Sequence, residues 1–313
     1  MLSYTIRRIL LAVPVMGVVA LVVFGLLYIT PGDPAMVIAG DQATPDQIAR
    51  IRVALGLDQP PYIRFWGWLG QVLRGDLGTS IFSNQSVLHM IDQRLEPTVS
   101  LLLLAVVISV SFGVPFGVVA AWKKGKVADR ALSIFTTAGF SIPAFVAGYA
   151  LAFVFASSLR WLPVQGYVLL SEGIWPSLRS LILPAVTLSL IYAAVIGRVT
   201  RSAMLDVLGQ DYIRTAQAKG AGPLTILFRH ALKNAAVPVV TIIGIGIATL
   251  FGATVVTESV FAIPGLGRLT VDAILHRDYP VIQAMVLLSS AVYVLVNLAV
   301  DLLYTLVDPR ISY

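Results

Sequence analysis

Apolar residues are gathered along this chain into runs of membrane length, separated by short basic or mixed polar stretches. The runs are Ile9 to Ile29, Val99 to Trp122, Leu132 to Ala156, Leu181 to Gly197, Val237 to Phe261 and Val281 to Leu306. About 20 apolar residues rising ~1.5 Å each cross a hydrocarbon core, and lipid offers backbone polar groups no partner outside their own helix. The pattern predicts an all-α membrane protein with six transmembrane helices. Pro184 and Arg198 bracket only a short apolar stretch in the fourth run, and Pro184 suits a first turn, where no N–H is needed. The first run is longer than a signal-peptide core and no small-x-small site follows it cleanly, so it reads as a retained helix.

The connections carry elements of their own. After the first run, Ile48, Ile51 and Leu55 with a capping Thr44 predict a helix from Pro45 to Leu57, and Tyr62 to Leu73 predicts an interfacial helix anchored by Trp66 and Trp68. Together they form a small helical cap, either covering the helices or docking an external partner. Ser157 to Ser180 reads as a looped excursion with aromatic anchors. Phe261 to Pro280 cannot continue the fifth span: Pro264, Gly265 and Gly267 break it, and Arg268, Asp272, Arg277 and Asp278 make it amphiphilic. A re-entrant or interfacial turn-helix results, with Pro264, Gly265, Gly267 and Arg268 as the outer gate or turn.

The most informative connection is Asp211 to Pro238, DYIRTAQAKGAGPLTILFRHALKNAAVP. Tyr212, Thr215, Ala216 and Lys219 share one helix face, Gly220 ends that helix, and Pro223 opens a second whose stripe is Leu224, Leu227, Phe228 and Ala231. Cations fix the orientation. Arg7 and Arg8, then Lys123, Lys124, Lys126 and Arg130, then Arg198, Arg201, Arg214, Lys219, Arg229 and Lys233 fall on alternate connections, which the positive-inside rule places in the cytoplasm with both termini. The chain therefore divides into a first transmembrane helix (1–30), an extracytoplasmic helical segment (31–98), a core (99–306) with a cytoplasmic loop at 198–236, and a cytoplasmic tail (307–313).

Composition agrees: 58% of residues are hydrophobic and 12% charged. The net charge of +6 suits anionic lipid headgroups and does not call for nucleic acid. With no cysteine and three scattered histidines (His89, His230, His276), nothing has metal-ligand spacing. No GxxxxGK[ST] loop is present to cradle phosphates, so the chain is not expected to be an enzyme or to hold a cofactor.

The 211–238 segment resembles the cytoplasmic coupling loop of binding-protein-dependent ATP-binding-cassette importers, in the wording of the dipeptide, oligopeptide, glutathione and nickel permease branch. PGDPA (31–35), LGLDQP (55–60), GDLGTS (75–80), SIPAF (141–145) and ESVFAIPGLGRLTVDAILHRDYPVIQA (258–284) extend the resemblance over the whole chain. It implies a type I importer permease fold in a bacterial cytoplasmic (inner) membrane. The implied partners are a second homologous permease, two ATPase subunits that use ATP and Mg, and an external solute-binding protein. Tyr212, Arg214, Thr215, Ala216, Lys219, Gly220 and Ala221 become the ATPase-coupling surface, and short peptides the solute, with glutathione, opines or nickel chelates as alternatives. The broader family often has Glu-Ala-Ala where Arg214, Thr215 and Ala216 stand here, so a glutamate-mediated contact does not carry over.

Several residues inside the spans bear on a solute path. Ser141, Pro143, Thr254, Thr257 and Glu258 are candidates, with Pro143 and Pro115 inviting kinks. Glu258 either lines the outer mouth or pairs with Arg268, and Asp301 suits a structural bond at a span end. Gly244, Gly246 and Gly252 favour close packing, either within the chain or across a dimer. An ion-coupled transporter would need a midplane acid and inverted repeats, and an intramembrane enzyme paired catalytic groups; neither pattern stands out.

Overall fold

A computed structural model describes residues 2–29, 35–36, 44–54 and 57–307. The principal helices are α1 (Leu2–Ile29), α2 (Pro45–Ala54), α3 (Pro61–Leu73), α4 (Val87–Trp122), α5 (Val127–Ser141), α6 (Ala144–Leu151), α7 (Ile174–Leu208), α8 (Asp211–Ala218), α9 (Ala236–Val260), α10 (Leu266–Leu275) and α11 (Tyr279–Val307). α6 runs on into a π-helical stretch, Ala152–Ser158, and a second π-helical stretch covers Thr225–Leu232. Among the described residues five helices, α1, α4, α7, α9 and α11, are long and apolar enough to cross a membrane.

The remaining predicted span, Leu132 to Ala156, is not one kinked helix. It is a broken pair, α5 and α6, bent by 104°. Pro143 has no N–H to continue the ladder and drives its predecessor out of helical space, so Ile142 is extended at φ −97°, ψ 118°. By contrast α4 passes through Pro97 and Pro115 without interruption and starts at Val87, well before the predicted Val99. α7 likewise extends to Leu208, so Arg198 and Arg201 belong to a helix and not to the loop assigned to 198–236.

The chain forms two compact units, one of Glu96–Gly267 with Leu295–Tyr313, the other of Leu2–Leu95 with Arg268–Val294. In the first unit α7 is the axis: 72% of its most apolar stretch is buried, against 17–28% for the other four membrane-length helices. Leu181, Leu188 and Ile196 of α7 bury with Leu101 and Ala105 of α4 and Leu250 of α9. The buried hydroxyls of Thr187 and Ser189 turn back on the carbonyls of Leu183 (2.8 Å) and Val186 (2.9 Å), which removes their cost in an apolar core.

Small residues let neighbouring backbones reach α7. A methyl at Gly113 of α4 would meet the Ala193 carbonyl at 2.8 Å, and one at Gly117 the Gly197 carbonyl at 2.5 Å. This small-xxx-small seam replaces the hydrophobic drive that lipid does not supply. On α9, Gly246 lies against the Tyr192 ring, whose hydroxyl donates to the Ile242 carbonyl, and Gly244 lies against Val300. Gly244 and Gly246 therefore serve packing within the chain, while Gly252 faces open space. At one end of α7, Arg201 forms a two-pronged ion pair with Asp129 of α5, its Nη2 2.9 Å from Oδ2, and the Gly125 N–H caps the same carboxylate at 2.8 Å.

In the second unit, Thr44 and Gln47 make a reciprocal capping box at the start of α2, as the capping threonine predicted; Leu55 of the same pattern lies outside the described residues. α3 meets α1 through Phe24, packed on Phe65 at 5.4 Å and Trp68 at 5.7 Å, whereas Trp66 is exposed. A tight loop bridged between Thr79 and Ser86 is fastened to Asp278, which accepts the Ser80 hydroxyl and the Ile81 N–H (3.2 Å).

Asp129→Ala leaves the half-buried Arg201 without its carboxylate and lowers stability by on the order of 1–2 kcal/mol after solvent screening. Thermal unfolding in detergent measures it, and Asp129→Ala with Arg201→Leu recovers part of the loss.

Candidate functional site

The 211–238 segment folds as two helical halves around a glycine. In α8 the Thr215 hydroxyl returns to the Asp211 carbonyl (3.1 Å) and Arg214 reaches the Asp211 carboxylate at 3.5 Å. Gly220 has φ +83°, and the Ala221 N–H bonds the Ala216 carbonyl (3.1 Å), the six-to-one closure of a left-handed helix end. No neighbour would meet a side chain at Gly220, so the backbone angle alone selects glycine there. Ile213 is the inward anchor of α8. Tyr212, Arg214, Thr215 and Lys219 are exposed, Ala216 and Ala221 are half-buried, and Gly220 is exposed between them.

The second half departs from the predicted stripe. Because Thr225–Leu232 is π-helical, with i→i+5 bonds, the inward residues are Ile226, Leu227 and Ala231. Leu227 and Ala231 pack with Val118 and Ala121 of α4 and Met204 of α7. Leu224 and Phe228, expected on the buried face, are 70% and 60% exposed. The Asn234 amide donates to the Tyr212 hydroxyl (3.0 Å) and the His230 carbonyl (2.6 Å), pinning the two halves into one rigid hairpin.

A second arrangement closes the end of α9. Glu258 is wholly buried, and its carboxylate accepts the Thr98 hydroxyl at 2.7 Å. The same Thr98 oxygen accepts the Leu266 N–H at 2.8 Å, and the Ile263 N–H bonds the Glu258 carbonyl at 2.9 Å. Pro264, Gly265 and Gly267 thus wrap the carboxylate: a methyl at Gly265 would strike it, and one at Gly267 would come within 2.5 Å of the Val255 backbone. The Phe261 carbonyl accepts the Gly166 N–H at 2.9 Å, tying the loop before α7 to this turn. Two donors of that loop, the Tyr167 hydroxyl and the Leu170 N–H, reach Glu96 of α4, each at 2.8 Å. Burial above all pushes the Tyr167 phenol up, so it stays a donor.

Glu258 is therefore the keystone of a turn in this structure, and Thr98 is the partner that sequence reading missed. Thr254 and Thr257 are also buried, bonded to the Phe251 (2.7 Å) and Ala253 (3.4 Å) carbonyls of their own helix. Ser141 and Pro143 stand exposed at the α5–α6 break. Arg268 follows the turn at the start of the other unit and is half-buried.

Residues 113–313 match the family described as binding-protein-dependent transport system inner membrane component, and residues 1–102 match the N-terminal region model of such membrane components. The chain belongs to this permease family. It is 53% identical over 310 residues to a probable peptide ABC transporter permease protein of Sinorhizobium fredii, covering 99% of each chain. It is 42% identical to a glutathione transport system permease protein of Salmonella choleraesuis, over the whole of both. Among solved structures, a chain of the MetNI methionine ABC transporter in inward-facing conformations matches with TM-score 0.57 at 19% identity, covering 70% of this permease and 96% of that chain. That likeness is one of fold. The family and the membrane-length helices make this permease a multi-pass inner-membrane protein.

Gly267→Ala forces a backbone collision beside Glu258 and costs about 1–3 kcal/mol, whereas Gly252→Ala meets nothing and leaves stability unchanged. Melting temperatures of the two purified variants check the contrast.

Proposed function

We propose that this permease is one half of the solute path of an ATP-driven importer for short peptides handed over by an external binding protein. The observation that carries the reading is the α8–Gly220–π-helix hairpin: rigid, internally bonded, anchored on α4 and α7, and presenting Tyr212, Arg214, Thr215, Ala216, Lys219, Gly220 and Ala221 outward. Such a knob suits a groove on a partner that moves. The chain has no phosphate-binding loop, so the moving partner is a pair of ATPase subunits that use ATP and Mg, and a second permease completes the path. The alternating basic connections favour the cytoplasm for both termini and the hairpin, and the outside for the 31–98 segment. Exposed Leu224 and Phe228 extend the hairpin's apolar contact area beside its cations. ATP-driven closure then biases the helices between two states only because the hairpin holds a different ATPase arrangement in each.

Peptide is the favoured solute because the Sinorhizobium relative is named for peptide transport. Glutathione, itself a tripeptide, is the second reading, favoured by the Salmonella relative. Opines and nickel chelates belong to the wider branch and have no such support here.

The sequence lacks cysteine, so single replacements report cleanly. Ala216→Cys and Ala221→Cys cross-link to the ATPase subunit in membranes of cells making the whole importer, and Ser83→Cys in the 31–98 segment does not. Lys219→Glu lowers ATP-driven uptake severalfold while leaving binding of peptide by the external receptor unchanged. Cross-links from Ser83→Cys with none from the hairpin would reverse the assigned orientation.

A further inference from the structure

The broken α5–α6 pair holds a chemistry that neither the hairpin nor the Glu258 turn uses. α5 ends with the Ile142 N–H on the Ala138 carbonyl (3.1 Å), Pro143 contributes no donor, and the next N–H groups, Val146 and Ala147, both turn to the Pro143 carbonyl (3.0 and 3.1 Å). Among the described residues no hydrogen bond reaches the carbonyls of Gly139, Phe140 or Ser141; the Ser141 hydroxyl itself goes back to Thr137 (2.9 Å). These free acceptors carry the negative end of the α5 dipole and lie within the predicted third span, with Val127 to Ala138 of α5 before them. Acyl chains have no donors to offer them, and irregular backbone at that depth persists only against protein or a polar occupant.

Gly139 and Ile142 of the break also line an apolar cavity of about 130 Å³, together with Phe135, Ala147, Thr187 and Ile191, and its surface is almost wholly carbon. A dry apolar cavity of ~150 Å³ accepts a benzene ring, so this one suits a branched aliphatic side chain. An acceptor row next to a side-chain-sized apolar hole matches the pairing of N–H and side chain that every peptide residue presents. An ion or a compact polar chelate has no use for the hole.

Resting on the peptide reading above, we infer that this break is a peptide subsite of the permease: the carbonyls of Gly139 to Ser141 receive backbone N–H or the terminal ammonium, and the cavity receives one aliphatic side chain. The subsite makes the permease itself selective for side-chain size, in addition to whatever its receptor selects. Thr187 on α7 and Ala147 on α6 both line the cavity, so the same helix that anchors the hairpin also borders the solute.

The test uses the complete importer in proteoliposomes, with receptor saturated by Ala-Ala, Leu-Leu or Phe-Phe so that receptor affinity is not read. Ala147→Leu fills the cavity and is expected to lower uptake of Leu-Leu relative to Ala-Ala about tenfold. Ile191→Ala enlarges it and is expected to raise uptake of Phe-Phe relative to Ala-Ala. Opposite shifts from a filled and an enlarged cavity are not produced by damage to folding. If all peptides fall together in both variants, or the ratios do not change, the cavity houses a lipid chain or a fixed side chain of the paired permease and the inference is overturned. If wild type takes up glutathione but none of these dipeptides, the peptide reading and the inference fall together; dipeptide uptake with unmoved ratios overturns the inference alone.

Discussion

Close backbone approach to α7 is the constraint from which the rest of the first unit follows. Lipid tails are as apolar as leucine, so burial of Leu181 or Leu188 does not by itself draw helices together there. What does is close approach at glycines: Gly113 and Gly117 against the backbone at Ala193 and Gly197, and Gly246 against the Tyr192 ring. Once those contacts form, the internally bonded hydroxyls of α7 are sealed in protein at little cost. Replacing these glycines by larger residues would push α4 and α9 away from α7.

That constraint also explains how two distant sites share one frame. α7 has 35 residues, or about 52 Å of helix, running from the loop tied to the Phe261 turn to Met204, on which the hairpin's π-helical half sits. Asp129 fixes its basic end to α5, the helix whose other end is the break at Pro143. α7 thus touches the hairpin at Met204 and the cavity beside Gly139 at Thr187. The hairpin and the cavity are coupled if this frame has two discrete arrangements.

Much of this was legible in the residues. Hydrophobic runs gave the spans, Thr44 a cap and Gly220 a left-handed end, because each signal acts within a few residues of itself. The misses are of longer range. A proline kinks or breaks a helix according to what packs beside it, so Pro143 and Pro115 read alike and behave differently. Thr98 lies 160 residues from Glu258, and no periodicity announces their bond. The π-helical winding at Thr225–Leu232 changed which residues of the second hairpin helix face inward, leaving Leu224 and Phe228 outside. Of the glycines in α9, pattern alone did not separate Gly246, against a ring, from Gly252, against nothing.

In the proposed function, force made by a partner's nucleotide chemistry enters through the hairpin and moves solute through this chain. The most direct measurement is concentrative peptide uptake into proteoliposomes loaded with the paired permeases and receptor, with and without the ATPase subunits and ATP. Accumulation above the external concentration only when ATPases and ATP are both present is the predicted result. Uphill uptake by the permeases without ATPases, driven by an ion gradient, would contradict it.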